Sequence, residues 1–196
     1  MVKIITFEGS DYSGKTTTSK ALAKMLGLRF NDSVIYPTKT SSQLLTIAKE
    51  ADDKIREVLY TSAFILDKQI EEYINTNEIF IQDRYWPSII AYGRFLNKEN
   101  SIHFTTNFRE LFIKPSAVIY LACSLDEKRK RSEKRKRKSI LDKYLLQNND
   151  NCNRLEEEIQ KSLNGLENII KIDTTNKNIK ELEIQITREL KQRELI

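Results

Sequence analysis

The segment FEGSDYSGKTT, residues 7–17, constrains this chain more than any other stretch. Gly9, Gly14, Lys15 and Thr16 fit the pattern G-x-x-x-x-G-K-[ST]. The apolar run VKIITF precedes the pattern, and apolar side chains recur at helical spacing after it. A glycine-rich loop between a strand and a helix directs several backbone N–H groups and the positive helix end at one anion. The segment therefore predicts a phosphate-binding loop.

Every residue of this phosphate loop, residues 9–17, is a candidate nucleotide contact. The set is Gly9, Ser10, Asp11, Tyr12, Ser13, Gly14, Lys15, Thr16 and Thr17. Lys15 would reach the β- and γ-phosphates, and the Thr16 hydroxyl would face a magnesium ion. A carboxylate beside phosphates is costly unless it meets a metal-bound water, a sugar hydroxyl or a cation, so Asp11 is a functional candidate. The alternative is a glycine turn that only caps a helix.

The rest of the chain alternates short apolar strands with amphipathic helices. We predict strands at residues 2–7, 33–36, 78–82, 117–122 and 169–172, and helices at 15–28, 40–49, 55–75, 87–97, 105–113, 154–163 and 179–195. This alternation favours a parallel sheet covered on both faces, with strands 2–7 and 117–122 in its centre. The polar tract 147–153 is expected to be an exposed loop. The length of 196 residues predicts one domain over residues 1–196, with at most an inserted lid.

Composition excludes several classes of protein. No apolar run approaches the ~20 residues that span a bilayer, and the N-terminal run is too short for a secretory signal. Cys123 and Cys152 have no CxxC partner, so we expect free thiols. His103, the one histidine, is expected to be a loop residue without a catalytic role. We expect a cytoplasmic protein without a membrane partner.

Positive charge is concentrated in one segment. The chain has a net charge of +5, and residues 128–138, KRKRSEKRKRK, hold nine basic side chains in eleven positions. Outside this basic run, acidic residues outnumber basic ones. The run predicts a lid over phosphates, a nucleic-acid contact or a solvated helix face.

A second group of polar residues follows the third predicted strand, in IQDRYWPSIIAYG, residues 81–93. If this strand neighbours the first, Asp83 reaches the magnesium ion or its waters. Arg84 can form a bidentate contact with a phosphate. The alternative is an Asp–Arg pair that caps the next helix.

Taken together, these segments resemble the thymidylate kinase family. FEGSDYSGKTT resembles that family's FEG-x-D-x-x-GKTT, and DRYWPSIIAYG is similar to its DRY-x-x-S-x-x-AYQ. YPTKTS, KPSAVIYLACSLDEKRKR and IIKIDTTNKNI resemble three further segments of the family, in the same order along the chain. The resemblance covers most of the sequence, and its first two segments are specific in combination.

The resemblance implies a three-layer α/β P-loop fold, with a five-stranded parallel sheet flanked by helices and a small basic lid at about residues 129–145. It implies ATP and Mg²⁺ as cofactors, Thr16 and Asp83 at the metal, and a homodimer. The implied reaction transfers a phosphoryl group from Mg-ATP to a deoxynucleoside monophosphate. The favoured acceptor is dTMP, which would give dTDP for dTTP synthesis.

The resemblance also assigns acceptor-side and catalytic residues. Asp11 would approach the acceptor's 3′-hydroxyl or its phosphate region, Arg84 would hold the acceptor phosphate, and Tyr92 would line its sugar. The loop has Tyr12 and Ser13 where some relatives carry an arginine, so the lid would supply that charge. Arg131 and Arg135, four positions apart on one helical face, fit best. The implied catalytic set is Lys15, Asp11, Arg84, Arg131 and Arg135, and further acceptor contacts are Lys39, Lys68, Tyr85 and Ser88.

Three departures from the family pattern lie on the acceptor side. No arginine occurs between Arg56 and Arg84, and Lys39 and Gly93 replace an arginine and a glutamine. They leave open a kinase for another nucleotide or for a deoxynucleoside. YPTKTSSQLLTIAK offers no acid as the base that a nucleoside would need, which favours a monophosphate acceptor. A non-catalytic relative whose basic run contacts nucleic acid is a further alternative, disfavoured by the intact Lys15 and Arg84.

Overall fold

A computed structural model of the chain describes residues 3–32, 39–52, 55–56, 58–59, 62–63, 78–98, 112–135 and 140–196. Its sheet has five parallel strands in the order β2-β3-β1-β4-β5. These strands are β1 (Lys3–Glu8), β2 (Arg29–Asn31), β3 (Ile79–Asp83), β4 (Ala117–Ala122) and β5 (Ile169–Asp173). The carboxyl ends of β1, β3 and β4 therefore meet in the middle of one edge, where ligands bind in open α/β sheets.

Helices pack on both faces of this sheet. The described helices are α1 (Lys15–Leu26), α2 (Lys39–Glu50), α3 (Trp86–Phe95), α4 (Leu125–Glu133), α5 (Ile140–Gln147), α6 (Asn149–Ser162) and α7 (Ile179–Gln192). On one face, Leu22 of α1 and Ile186 of α7 share a core with Phe7. On the other, Phe95 of α3 and Ile159 of α6 share a core with β4. The predicted three-layer α/β fold is confirmed.

Most predicted elements agree with the structure to within a few residues. The central position of β1, with β4 beside it, is confirmed. The predicted strand at 33–36 lies outside the described residues, and the structure instead places β2 just before it. Most of the predicted helices at 55–75 and 105–113 also lie outside them, as does His103. Both cysteines are free. Within the described residues, no helix has the length and apolar character needed to span a bilayer.

The prediction of an exposed loop at residues 147–153 was wrong. Helix α6 begins at Asn149, after Asn148 caps it by accepting a hydrogen bond from the Asp150 N–H at 2.8 Å. Cys152 is buried, and its thiol donates to the carbonyl of Leu145 at 2.9 Å. The tract is helical because an asparagine is a favourable N-cap and because Cys152 shares the buried face of α6 with Leu155.

Candidate active site

The phosphate loop connects β1 to α1 through a backbone that favours glycine at two points. Gly9 has φ +141°, and a Cβ built on it would lie 2.4 Å from the carbonyl oxygen of Leu121 in β4. Gly14 precedes α1 with φ +90°. Tyr12, between them, also has a positive φ, of 64°. The loop therefore turns tightly against β4, as a chain that surrounds an anion with N–H groups must.

Lys15 at the start of α1 is almost completely buried. Its ammonium donates to the carbonyl of Ser10 at 2.5 Å and contacts Ser13 Oγ at 3.5 Å. Burial and the nearby Arg84 guanidinium lower its pKa to about 7, against the opposing effect of Asp11 and Asp83. A phosphate anion beside this ammonium would favour the charged form.

Thr16 and Asp83 meet where β1 and β3 lie side by side. Asp83 is the last residue of β3 and pairs with Phe7 of β1, so the third strand does neighbour the first. The Thr16 hydroxyl donates to Asp83 Oδ2. Asp83 Oδ1 is buried and has no hydrogen-bond partner among the described residues. A buried carboxylate oxygen left unpaired beside a hydroxyl fits a hard cation such as Mg²⁺.

Asp11, Arg84 and Tyr92 form a closed triangle of hydrogen bonds. Arg84 Nη2 donates to Asp11 Oδ1 at 2.6 Å and contacts Tyr92 Oη at 3.0 Å, while the Tyr92 hydroxyl donates to Asp11 Oδ2 at 2.7 Å. Burial opposes ionisation of Asp11, but the charges of Arg84 and Lys15 lower its pKa below the usual value. Arg84 has a positive φ of 63°, and its N–H donates to the Phe7 carbonyl at 3.0 Å. The triangle thus joins the phosphate loop to the β3–α3 turn.

Glu8, the last residue of β1, is fully buried. It accepts hydrogen bonds from the Ser88 hydroxyl at 2.5 Å, the Tyr85 N–H at 2.9 Å and the Thr6 hydroxyl at 3.3 Å. Burial raises its pKa to about 7, although Ser88 and the Arg84 charge act in the opposite direction. Glu8 therefore holds the first turn of α3 through the Tyr85 N–H and the Ser88 hydroxyl.

The two favoured lid arginines have different surroundings. Arg131 donates to Tyr12 O at 3.2 Å, to Thr174 Oγ1 at 3.1 Å and to Thr174 O at 2.7 Å, and it pairs with Glu127 at 3.0 Å. Arg135 is exposed, with its guanidinium carbon 5.6 Å from the Tyr12 ring centroid. The expectation that both lie on one helical face was wrong, because α4 ends at Glu133.

Comparisons with known proteins agree with this geometry. The sequence model of the thymidylate kinase family matches residues 7–186. The chain belongs to the thymidylate kinase family. A probable thymidylate kinase of Methanocaldococcus jannaschii is 31% identical over 95% of both chains. One of Methanococcus aeolicus is 30% identical over the full length of both. The predicted family and the predicted enzyme class, a nucleoside-monophosphate kinase, are confirmed.

Solved structures give the same fold at lower identity. Thymidylate kinase from Candida albicans superposes with a TM-score of 0.70 at 21% identity, covering 98% of this chain and 92% of that one. Deoxyadenosine kinase from M. mycoides superposes with a TM-score of 0.65 at 18% identity, covering 96% and 99%. At these identities the likeness concerns the fold alone.

In this thymidylate kinase family member, most of the predicted site residues line one cavity of about 650 Å³. Its lining consists of Asp11, Tyr12, Gly14, Lys15, Thr16, Thr17, Asp32, Asp83, Arg84, Arg131, Lys134 and Arg135. Gly9, Ser10 and Ser13 are not part of the lining, and both serines are buried. Tyr85 and Ser88 are not part of the lining either; Ser88 contacts Arg84, and the Tyr85 N–H donates to Glu8. The side chain of Lys39 and the whole of Lys68 lie outside the described residues.

Sequence reasoning missed two residues that support the phosphate loop. The Thr174 hydroxyl, just after β5, donates to the Ser13 carbonyl at 2.9 Å. Glu156 of α6 accepts a hydrogen bond from the Ser10 hydroxyl at 2.5 Å. The polar TT pair at a strand end was a usable signal for Thr174. The three consecutive glutamates 156–158 gave no sign that one of them faces inward.

Proposed function

We propose that this protein transfers the γ-phosphoryl group of Mg-ATP to dTMP, which yields dTDP for dTTP synthesis. The observation that carries the proposal is the shared cavity, in which Lys15 and Thr16 lie with Asp11 and Arg84. Lys15 and Thr16 suit a nucleoside triphosphate, and Asp11 and Arg84 suit a second, phosphorylated ligand. Membership of the thymidylate kinase family supports dTMP as that ligand.

On the donor side, the loop N–H groups and Lys15 would bind the β- and γ-phosphates. Thr16 and Asp83 would hold the magnesium ion, since Asp83 Oδ1 is buried without a hydrogen-bond partner among the described residues. When bound, the ion neutralises charge on the phosphate oxygens. Gly9, Ser10 and Ser13 would act by shaping the loop, and Tyr12, Gly14 and Thr17 by lining it.

On the acceptor side, Arg84 would bind the monophosphate through its planar guanidinium. Asp11 and Tyr92 hold that guanidinium at 2.6 and 3.0 Å and would bind the sugar. A phosphate acceptor is already anionic, so positioning and charge neutralisation suffice for its attack on the γ-phosphorus. Further acceptor contacts are proposed for Lys39, Lys68, Tyr85 and Ser88, the last two through their support of Arg84.

Residues 129–145 would form the lid of a single domain. Arg131 and Arg135 would stabilise charge that develops on the transferred group, and closure would exclude water. Because the basic run serves as the lid, our proposal includes no nucleic-acid partner. A homodimer and a cytoplasmic location are also proposed, on the strength of the family likeness alone.

The deciding experiment is a coupled ADP-release assay with Mg-ATP and each of dTMP, dUMP, dCMP, UMP and AMP. We expect the largest kcat/KM with dTMP. Lys15→Ala is expected to remove activity with every acceptor, because it removes the charge at the donor phosphates. Turnover with none of the monophosphates, by a protein that binds Mg-ATP, would refute the proposal. A clear preference for another base would refute the choice of dTMP.

A further inference from the structure

Glu156 lies in a cluster of buried polar groups outside the cavity. Its carboxylate accepts hydrogen bonds from the Ser10 hydroxyl and the Lys128 ammonium, each at 2.5 Å, and from the Tyr120 hydroxyl. The three donor residues are each about 3% exposed. One carboxylate of α6 therefore binds the phosphate loop, the lid-side helix α4 and strand β4 at the same time.

Ser10 is the link between this cluster and the cavity. Its hydroxyl faces Glu156, while its carbonyl accepts the hydrogen bond from the Lys15 ammonium at 2.5 Å. That carbonyl belongs to the peptide next to the hydroxyl that Glu156 holds, and it also accepts a long hydrogen bond from the Ser13 N–H at 3.4 Å. Removing the Glu156 contact would free the peptide and, with it, the ammonium that faces the donor phosphates.

The acceptor side has separate supports. Asp11 follows Ser10 directly, but Arg84 and Tyr92 each make a hydrogen bond to its carboxylate. A change at Glu156 should therefore displace Lys15 while leaving Asp11 in place.

We propose that Glu156 is a positioning residue for the ATP phosphates and acts through Ser10 on Lys15. This inference rests on the proposed function, since it takes ATP as the donor. The alternative is that Glu156 only balances the buried charge of Lys128, which would affect folding but not the nucleotide.

The test is calorimetric titration of Mg-ATP, without acceptor, into Ser10→Ala, Glu156→Ala and the double variant. Glu157→Ala is the matched control, because Glu157 is the exposed neighbour on the same helix. Ser10→Ala removes one hydroxyl and leaves the Glu156–Lys128 pair intact, so it remains informative if Glu156→Ala folds poorly. All titrations are made well below the lowest Tm in the set.

We expect both single variants to raise the Kd of Mg-ATP about fivefold, the effect of one lost hydrogen bond. The double variant should raise it no further than the larger single effect, since both changes break the same contact. The Kd of dTMP should stay within a factor of two of wild type in every variant. Glu157→Ala should match wild type for both ligands.

Two results would overturn the inference. One is an unchanged Kd for Mg-ATP in Ser10→Ala. The other is an equal rise in the Kd values of Mg-ATP and dTMP, which would indicate general loosening of the site. A wild-type protein that binds Mg-ATP but phosphorylates no monophosphate would refute the proposed function alone, because the ATP titrations do not depend on turnover.

Discussion

Glu8 shows how one buried carboxyl group makes folding depend on pH. It is fully buried, and burial raises its pKa from 4.5 to about 7. In the unfolded chain the same group releases its proton near pH 4.5. Between these values the folded protein binds a proton that the unfolded chain does not, so the free energy of unfolding falls as pH rises. The stabilising contribution is complete below pH 4.5 and lost as the pH passes 7.

Replacing Glu8 with glutamine should remove this dependence. As the pH rises from 4.5 to 8, the free energy of unfolding of Glu8→Gln should increase relative to that of wild type, by about 3 kcal/mol at most. Urea unfolding of both proteins at several pH values measures the difference. The control is Glu157→Gln, which makes the same change at an exposed position. Parallel stability profiles for wild type and Glu8→Gln would contradict the assignment.

Arg84 is the residue on which the proposed acceptor site depends most. Arg84→Lys keeps the charge but loses the planar pair of donors that suits a phosphate. We expect the KM for dTMP to rise about tenfold, the effect of roughly 1.4 kcal/mol, with a much smaller change in the KM for ATP. Steady-state kinetics with each substrate varied in turn measures both values.

The control for this change is Arg94→Lys, at an exposed position in α3, the helix that follows Arg84. It should leave both KM values at the wild-type level. An unchanged KM for dTMP in Arg84→Lys would remove Arg84 from the acceptor site.

At the scale of elements, helix α6 depends on its N-cap residue, Asn148, which lies in a stretch rich in asparagine. Asn148→Ala removes the oxygen that accepts from the Asp150 N–H, and we expect it to lower the free energy of unfolding by about 1 kcal/mol. The control is Asn153→Ala, at an exposed interior position of α6, where alanine should be neutral or slightly stabilising. Chemical denaturation measures both. Equal stability of the two variants would show that the cap is unimportant.

The sequence predicted elements well where the hydrophobic pattern was regular. The strand AVIYLA was predicted at the observed residues, because a continuous apolar run between polar flanks indicates a buried strand. The start of α6 was missed because five of its first six residues are polar and only Cys152 faces the core. Composition alone could not separate such a segment from a loop, since asparagine is common in both loops and caps.

At the scale of the whole molecule, Arg131 connects three distant parts of the chain. It joins α4, the phosphate loop at Tyr12 and the segment after β5 at Thr174. We expect Arg131→Met to lower both the free energy of unfolding, by about 2 kcal/mol, and kcat. Arg135→Met should lower kcat by at least tenfold, with stability within about 0.5 kcal/mol of wild type, because Arg135 is exposed.

Thermal unfolding and single-turnover kinetics of the two variants separate these effects. A stable Arg131→Met protein would contradict the connecting role of Arg131. Full activity of Arg135→Met would show that the lid arginine of the proposed mechanism is another residue.

The sequence predicted the residues that line the cavity more completely than the residues that hold the phosphate loop in place. Lys15, Asp83 and Arg84 belong to short patterns whose spacing carries their chemistry, and the structure places all three at one cavity. Glu156 and Thr174 lie 146 and 161 positions after their partners in the phosphate loop, and only the folded sheet brings them to it. The TT pair is a local signal for Thr174, but no local pattern marks Glu156, and the partners of both residues are set by tertiary packing.

The hydrogen bond from Thr174 to Ser13 spans 161 positions of the chain. On a ribosome, β1 and the phosphate loop emerge first, but the residue that holds the Ser13 carbonyl emerges only after β5. A nascent chain that ends before Thr174 has the whole glycine-lysine motif and lacks this support. The nucleotide site is therefore completed only once Thr174 has been made, 161 positions after the loop residue that it supports.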